Sequence, residues 1–215
     1  MKNIILQHWT GELGPLELAS KANMEKYAKQ CGAEYQLILG NQFHPKLHGC
    51  YQKLIMLDKR FDKYQDTLMV DLDMFVVKDV KDNVFDVPGV GLNSKVQKDI
   101  FKAMCKGKKY RSVTDSNGPF WGGAFWKFTN EQRKQLRKFI VDKELKIFNK
   151  NFNDEGAIHR LATLAGLKQI DVPEEWCWGN CFPGYENAKM IHIRHKFKYV
   201  GPKVPKLEVF EALKK

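Results

Sequence analysis

The chain has 215 residues, 43% of them hydrophobic and 12% aromatic, which suits one compact core and argues against an extended disordered protein. Thirty-six Lys and Arg against 25 Asp and Glu give a formal charge of +11. The basic residues are spread over helical faces and the C-terminal segment, so the field favours an anionic partner without choosing among a nucleotide diphosphate, an acidic membrane face and nucleic acid. No window is apolar and long enough to span a bilayer, and Asn3-Ile4-Ile5-Leu6 is too short for a signal-peptide core, so a cytoplasmic protein is expected. The five cysteines (Cys31, Cys50, Cys105, Cys177, Cys181) are odd in number and scattered, which predicts reduced thiols. Cys177-Trp178-Gly179-Asn180-Cys181 lacks the spacing of a redox pair or a zinc knuckle. With no linker or repeat, the chain reads as one domain over residues 1–200, followed by a basic tail or linker over 201–215.

In chain order, residues 3–8 predict a strand and 15–30 a helix with apolar positions at Leu16, Ala19, Ala22 and Tyr27. Residues 35–39 predict a second strand closed by Gly40, a βαβ opening. A helix is expected over 51–64, where Leu54, Ile55, Leu57 and Phe61 recur, then a strand Thr67-Leu68-Met69-Val70 whose continuous apolar character implies burial on both faces. Extended chain continues over 74–77, further strands are expected at 90–92 and 123–128, and helices at 131–148 and 155–165. A late strand, Met190-Ile191-His192-Ile193, precedes the proline-punctuated tail. Alternating α and β elements predict an α/β three-layer sandwich with helices on both sides of a mostly parallel mixed sheet.

The triplet Asp71-Leu72-Asp73 ends the buried strand. Carboxylates at i and i+2 point to one side of an extended chain, so both can face one ion. Asp-x-Asp is common by chance and frequent in surface turns. This pair, however, lies between apolar runs at the carboxyl end of a strand, where open α/β sheets bind ligands and unpaired acids are costly. Oxygen ligands favour Mn²⁺ or Mg²⁺, which complete their shells with phosphate oxygens and water, so a diphosphate ligand follows.

Lys53-Leu54, the helical stretch after it, and Thr67-Leu68-Met69-Val70-Asp71-Leu72-Asp73-Met74-Phe75-Val76 together resemble the signature segment of the GT-A superfamily of glycosyltransferases, most of all its glycogenin and galactosyltransferase-like branch. The lysine-rich, single-domain form is further similar to glycosyltransferases encoded by large DNA viruses of algae, which would be made in the host cytoplasm. The resemblance implies a nucleotide-sugar donor, a UDP-hexose or UDP-deoxyhexose, and a hydroxyl acceptor on a glycan or glycoprotein. His192-Ile193-Arg194-His195-Lys196-Phe197-Lys198 resembles the family's late His-x-x-Gly-x-x-Lys motif. It implies His192 as a metal ligand beside Asp71 and Asp73, and Lys198 as a diphosphate contact. His195 replaces the motif's glycine and is an alternative ligand, and Tyr199 stands where the family continues with Pro-Trp.

Further candidates are weaker. Ser116 to Trp126 combines glycines, which admit a ligand close to the backbone, with aromatic faces that stack on sugars; Trp121 is the candidate wall residue, and a tight turn feeding a core strand is the plain alternative. Asn153-Asp154-Glu155 heads a helix, where an acid can simply serve the cap or dipole. In the family this position meets the reacting sugar, so Asp154 or Glu155 is the candidate catalytic carboxylate, a general base if the enzyme inverts and a stabiliser of an oxocarbenium-like state if it retains. His8 and Thr10 follow the first strand, where the family places nucleotide contacts, and Lys53 is within reach of the diphosphate. Two other readings stand beside this one. A sugar-nucleotide nucleotidyltransferase would carry a glycine-rich basic loop after the first strand, which Gln7 to Gly14 lacks; a basic nucleic-acid-binding module is the less favoured, since it needs a contiguous Lys/Arg stripe.

Overall fold

The computed structural model describes residues 1–77, 80–92, 118–140, 153–195 and 201–214. The opening is the expected βαβ unit: β1 (Ile4–Trp9), α1 (Pro15–Gln30) and β2 (Glu34–Leu39). Pro15 starts α1 with φ already set for a helix, and the Glu17 carboxylate accepts the Gly14 N–H at 3.0 Å. Gly32, at φ 65°, ends it in a left-handed turn that a side chain would resist. The inner face of α1 is Leu16, Ser20, Met24, Tyr27 and Ala28, while Ala22 is exposed.

The main sheet has the order β2-β1-β3-β5, with β3 at Asp66–Val70 and β5 at Phe125–Thr129. Its first three strands are parallel and β5 runs antiparallel to β3. Successive residues on a strand face opposite sides, so each inner strand feeds two cores. Ile4, Leu6, Met69, Trp126 and Phe128 pack toward the Gly49–Leu57 3₁₀ segment, α2 (Asn130–Arg137) and α3 (Asn153–Leu164). Ile5, Leu68, Val70 and Phe125 pack toward α1 and a second sheet. That sheet has the order β4-β7-β6, from Met74–Val76, Met190–His192 and Trp178–Gly179. The result is the three-layer, mostly parallel α/β architecture that the element pattern predicts.

Several elements differ from expectation. The helix predicted over 51–64 is two 3₁₀ segments, Gly49–Leu57 and Lys59–Phe61, because extended Asp58 breaks it and turns its carboxylate onto the Arg60 N–H at 2.9 Å. The strand predicted at 90–92 reduces to one isolated bridge, Gly91 to Asp171. The helix predicted over 131–148 is described only to Arg137, with turns to residue 140; residues 141–150 lie outside the described residues. Within the expected tail, Lys206–Leu213 forms helix α4, whose Val209 is fully buried with Leu16, Phe75 and Ile191, and whose Phe210 stacks on Phe75 at 4.5 Å. Arg133, a surface residue by composition, is fully buried and donates to the carbonyls of Phe61, Tyr64 and Phe128 at 2.9–3.0 Å, closing backbone acceptors that burial would leave unpaired.

Cys31, Cys50, Cys177 and Cys181 are free thiols, and Cys105 lies outside the described residues. Among the described residues no helix is long and apolar enough to cross a membrane.

Candidate active site

At the carboxyl end of β3 the chain turns sharply, and the Met74 N–H donates to the Asp71 carbonyl at 3.1 Å. Asp71 and Asp73 therefore converge across a tight turn, and not along an extended chain as their i, i+2 spacing suggests. The turn is held from three sides. Asp71 N–H donates to Ala124 O at 2.9 Å, Ile193 N–H to Asp73 O at 2.9 Å, and the Gln7 amide to Asp71 O at 3.1 Å. Gln7 is itself fixed: its amide donates to Ser20 Oγ at 2.9 Å and its carbonyl accepts from Tyr35 at 2.8 Å, while the Ser20 hydroxyl donates to Met74 O at 2.8 Å. This network, centred on the fully buried Gln7 and Ser20, orients the aspartates from behind.

The antiparallel pairing of β4 with β7 places His192 opposite Met74, one residue past Asp73. Ligand atoms of Asp71, Asp73 and His192 lie within 4.8 Å of one another, a group able to hold a metal ion. The donor set fits a hard divalent cation, two carboxylates and an imidazole. A second observation agrees. His192 Nε2 lies 3.1 Å from Asp73 Oδ1, and the buried His192 Nδ1 has no hydrogen-bond partner. Burial alone would raise the Asp73 pKa, but the charges of His192 and Lys206 outweigh it and hold the carboxyl well below its ordinary range.

Two lysines serve these carboxylates. Lys53, 8% exposed, donates to Asp71 Oδ1 at 2.6 Å and to the Gly123 carbonyl at 2.8 Å, and its Nζ lies 2.5 Å from Asp154 Oδ2. Burial opposes its charge, yet Asp154 and Asp71 raise its pKa above the ordinary lysine value. The expectation that Lys53 reaches a diphosphate thus meets a different arrangement, in which Lys53 ties the β3 turn to the head of α3. The second lysine is Lys206, whose ammonium bonds Asp73 Oδ2.

Asp154 and Glu155 lie in the first turn of α3. Asp154 is buried; burial and the Asp71 charge raise its pKa while Lys53 opposes them. Glu155 accepts the Gly123 N–H at 2.8 Å, and burial, reinforced by Asp154, pushes its pKa up to about 7 against the lowering pull of that hydrogen bond, Lys53 and Arg194. Gly123 is needed here for close approach, because a Cβ would stand 3.0 Å from Asp154 Oδ2 and 3.1 Å from Glu155 Cγ.

Of the remaining candidates, His8 is buried with Nε2 2.8 Å from the Gly40 carbonyl. Burial lowers its pKa, and the opposing influences of Lys53 and Asp71 on it place it in the same electrostatic neighbourhood. Thr10 is exposed, with its side chain against Gly49. Trp121 has no exposed surface and packs edge-on to Phe128 in the core, which is the plain role for that segment; its ring presents no face to an open cleft. His195 is exposed, its ring 3.2 Å from the Val204 carbonyl, so the imidazole that joins the aspartates is His192. Lys198 lies outside the described residues. Gln7, Ser20 and Lys206 carry no local signal that marks them for the site, since each is recruited through long-range packing, whereas Gly123 belongs to the glycine-bearing segment 116–126.

No protein-family description matches the sequence, and no curated protein does. Among solved structures, the fold is similar to that of a glycosyltransferase involved in the glycosylation of the major capsid of PBCV-1, with a TM-score of 0.58 at 10% sequence identity and coverage of 100% of both chains. At that identity the likeness establishes a shared fold over the whole length.

Proposed function

We propose that the protein is a metal-dependent glycosyltransferase of the GT-A type, a hexosyltransferase that moves a sugar from a nucleotide-sugar donor, a UDP-hexose or UDP-deoxyhexose, to a hydroxyl of a glycan or glycoprotein. The observation that carries this reading is the convergence of Asp71, Asp73 and His192 at the carboxyl end of β3, where a mostly parallel sheet places its ligands. The full-length likeness in fold to a solved glycosyltransferase supports it.

Asp71, Asp73 and His192 would hold Mn²⁺ or Mg²⁺, which when bound supplies Lewis-acid neutralisation of the charge on the departing nucleoside diphosphate. Lys53 keeps the Asp71 carboxylate and the head of α3 in one frame. Since Asp154 is already engaged by Lys53, Glu155 is our candidate catalytic carboxylate. With a pKa near 7 it can accept a proton from an acceptor hydroxyl at neutral pH, the task of a general base.

A donor panel tests the reading. UDP-, GDP- and TDP-sugars are offered with Mn²⁺ or with EDTA, and binding and slow donor hydrolysis are followed. Metal-dependent binding of one nucleotide sugar is expected, lost in Asp73→Asn with the melting curve retained; turnover that survives both EDTA and Asp73→Asn would refute it.

A further inference from the structure

The contact between Lys206 and Asp73 joins the C-terminal helix to the metal ligands. Lys206 opens α4, and the helix is seated independently of it by buried Val209 and by Phe210 stacked on Phe75. Its side chain is about one-quarter exposed and ends on Asp73 Oδ2, while the other oxygen of the same carboxylate faces His192. A cation of the protein thus compensates the charge that a divalent ion would take up. An ion arriving alone must separate that pair and meet the ammonium's repulsion at close range. An ion arriving with a diphosphate brings anionic oxygens to which the displaced ammonium can move, at the rim of the site and without unseating α4.

We propose that Lys206 couples metal binding to nucleotide binding: it holds the Asp73 carboxylate in the metal-free protein, opposes the free ion, and is released to the diphosphate when both ligands bind. This rests on the reading of Asp71, Asp73 and His192 as a metal site. Reciprocity requires that the metal strengthen nucleotide binding by the same factor by which the nucleotide strengthens metal binding.

The test is Mn²⁺ titration by electron paramagnetic resonance, with and without UDP, on the wild-type chain and on Lys206→Met, Lys206→Gln and Lys206→Arg, melting curves confirming the fold. Removing the charge in either neutral variant is expected to tighten Mn²⁺ binding to the nucleotide-free protein by about tenfold, within the roughly 5- to 150-fold range of ordinary site coupling, and to shrink the UDP effect. Lys206→Arg should keep the wild-type coupling. Equal Mn²⁺ affinity in wild-type and neutral variants, or an undiminished UDP effect in them, would overturn the role of Lys206 and leave the metal site standing. Failure of every form to bind Mn²⁺, with or without UDP, would overturn the metal reading itself and the coupling with it.

Discussion

At the scale of single residues, Lys53 and Glu155 carry the sharpest expectations. Lys53 is the buried partner of both Asp71 and Asp154, so Lys53→Met leaves two carboxylates facing each other with no cation between them. Breaking such a pair by removing one member costs about 3–5 kcal/mol. The loss should be largest at pH 8 and smaller near pH 5, because burial raises the Asp154 pKa, so that this carboxyl carries less charge, and misses the cation less, in acid than in base; an equal loss at both values would disprove the pairing. Glu155 follows the same sign. Its folded pKa, about 7, lies above the ordinary glutamate value, so its burial favours the folded state at low pH and that contribution fades as pH climbs through 7. Glu155→Gln should therefore match wild-type melting near pH 4 and melt higher than wild type at pH 8, and it should also lose the rise in donor turnover through pH 7. Identical pH-melting profiles would show that Glu155 is not held in a protonating environment. The sequence marks Asp71 and Asp73 because they end an apolar strand, and His192 through the resemblance of its segment to a late family motif, with His195 left as the alternative. It leaves Gln7 and Ser20 unmarked, since a glutamine on a strand and a serine on a helix acquire meaning only when packing brings them to the back of one turn.

At the scale of elements, periodicity identifies what local forces dominate and misses what tertiary contacts decide. The boundaries of α1 are readable from Pro15 and Gly32, and β3 from its apolar run. The 51–64 segment keeps a helical apolar pattern, yet Asp58 divides it by capping a new turn, and the 3₁₀ winding that results buries every residue from Tyr51 to Leu57. Helix α4 is hidden for the opposite reason: Lys206–Leu213 is short and follows prolines, so its helicity depends on docking against Leu16, Phe75 and Ile191. Val209→Ala removes two buried methyl groups, about 2 kcal/mol of local stability. Amide exchange within α4 should quicken by about thirtyfold at that cost while β1 and β3 keep their protection. Unchanged exchange in α4 would contradict its dependence on this contact.

At the scale of the whole molecule, the fold brings together parts of the chain that are far apart in sequence. The β3 turn contributes the aspartates, β7 the histidine, the Gly49–Leu57 segment Lys53, the head of α3 its acids and α4 a second lysine. The three-layer architecture is legible from alternating elements, and its likeness to a solved glycosyltransferase extends over the full chain. The charges that tune the site are not legible, because pairing of Lys53 and Lys206 with site acids depends on that long-range assembly. The most direct test of the account is the anomalous scattering of crystals grown with Mn²⁺ and UDP. A manganese peak bounded by the carboxylates of Asp71 and Asp73 and the imidazole of His192 is expected, absent in Asp73→Asn. A peak elsewhere, or none at these residues in the wild-type protein, would contradict it.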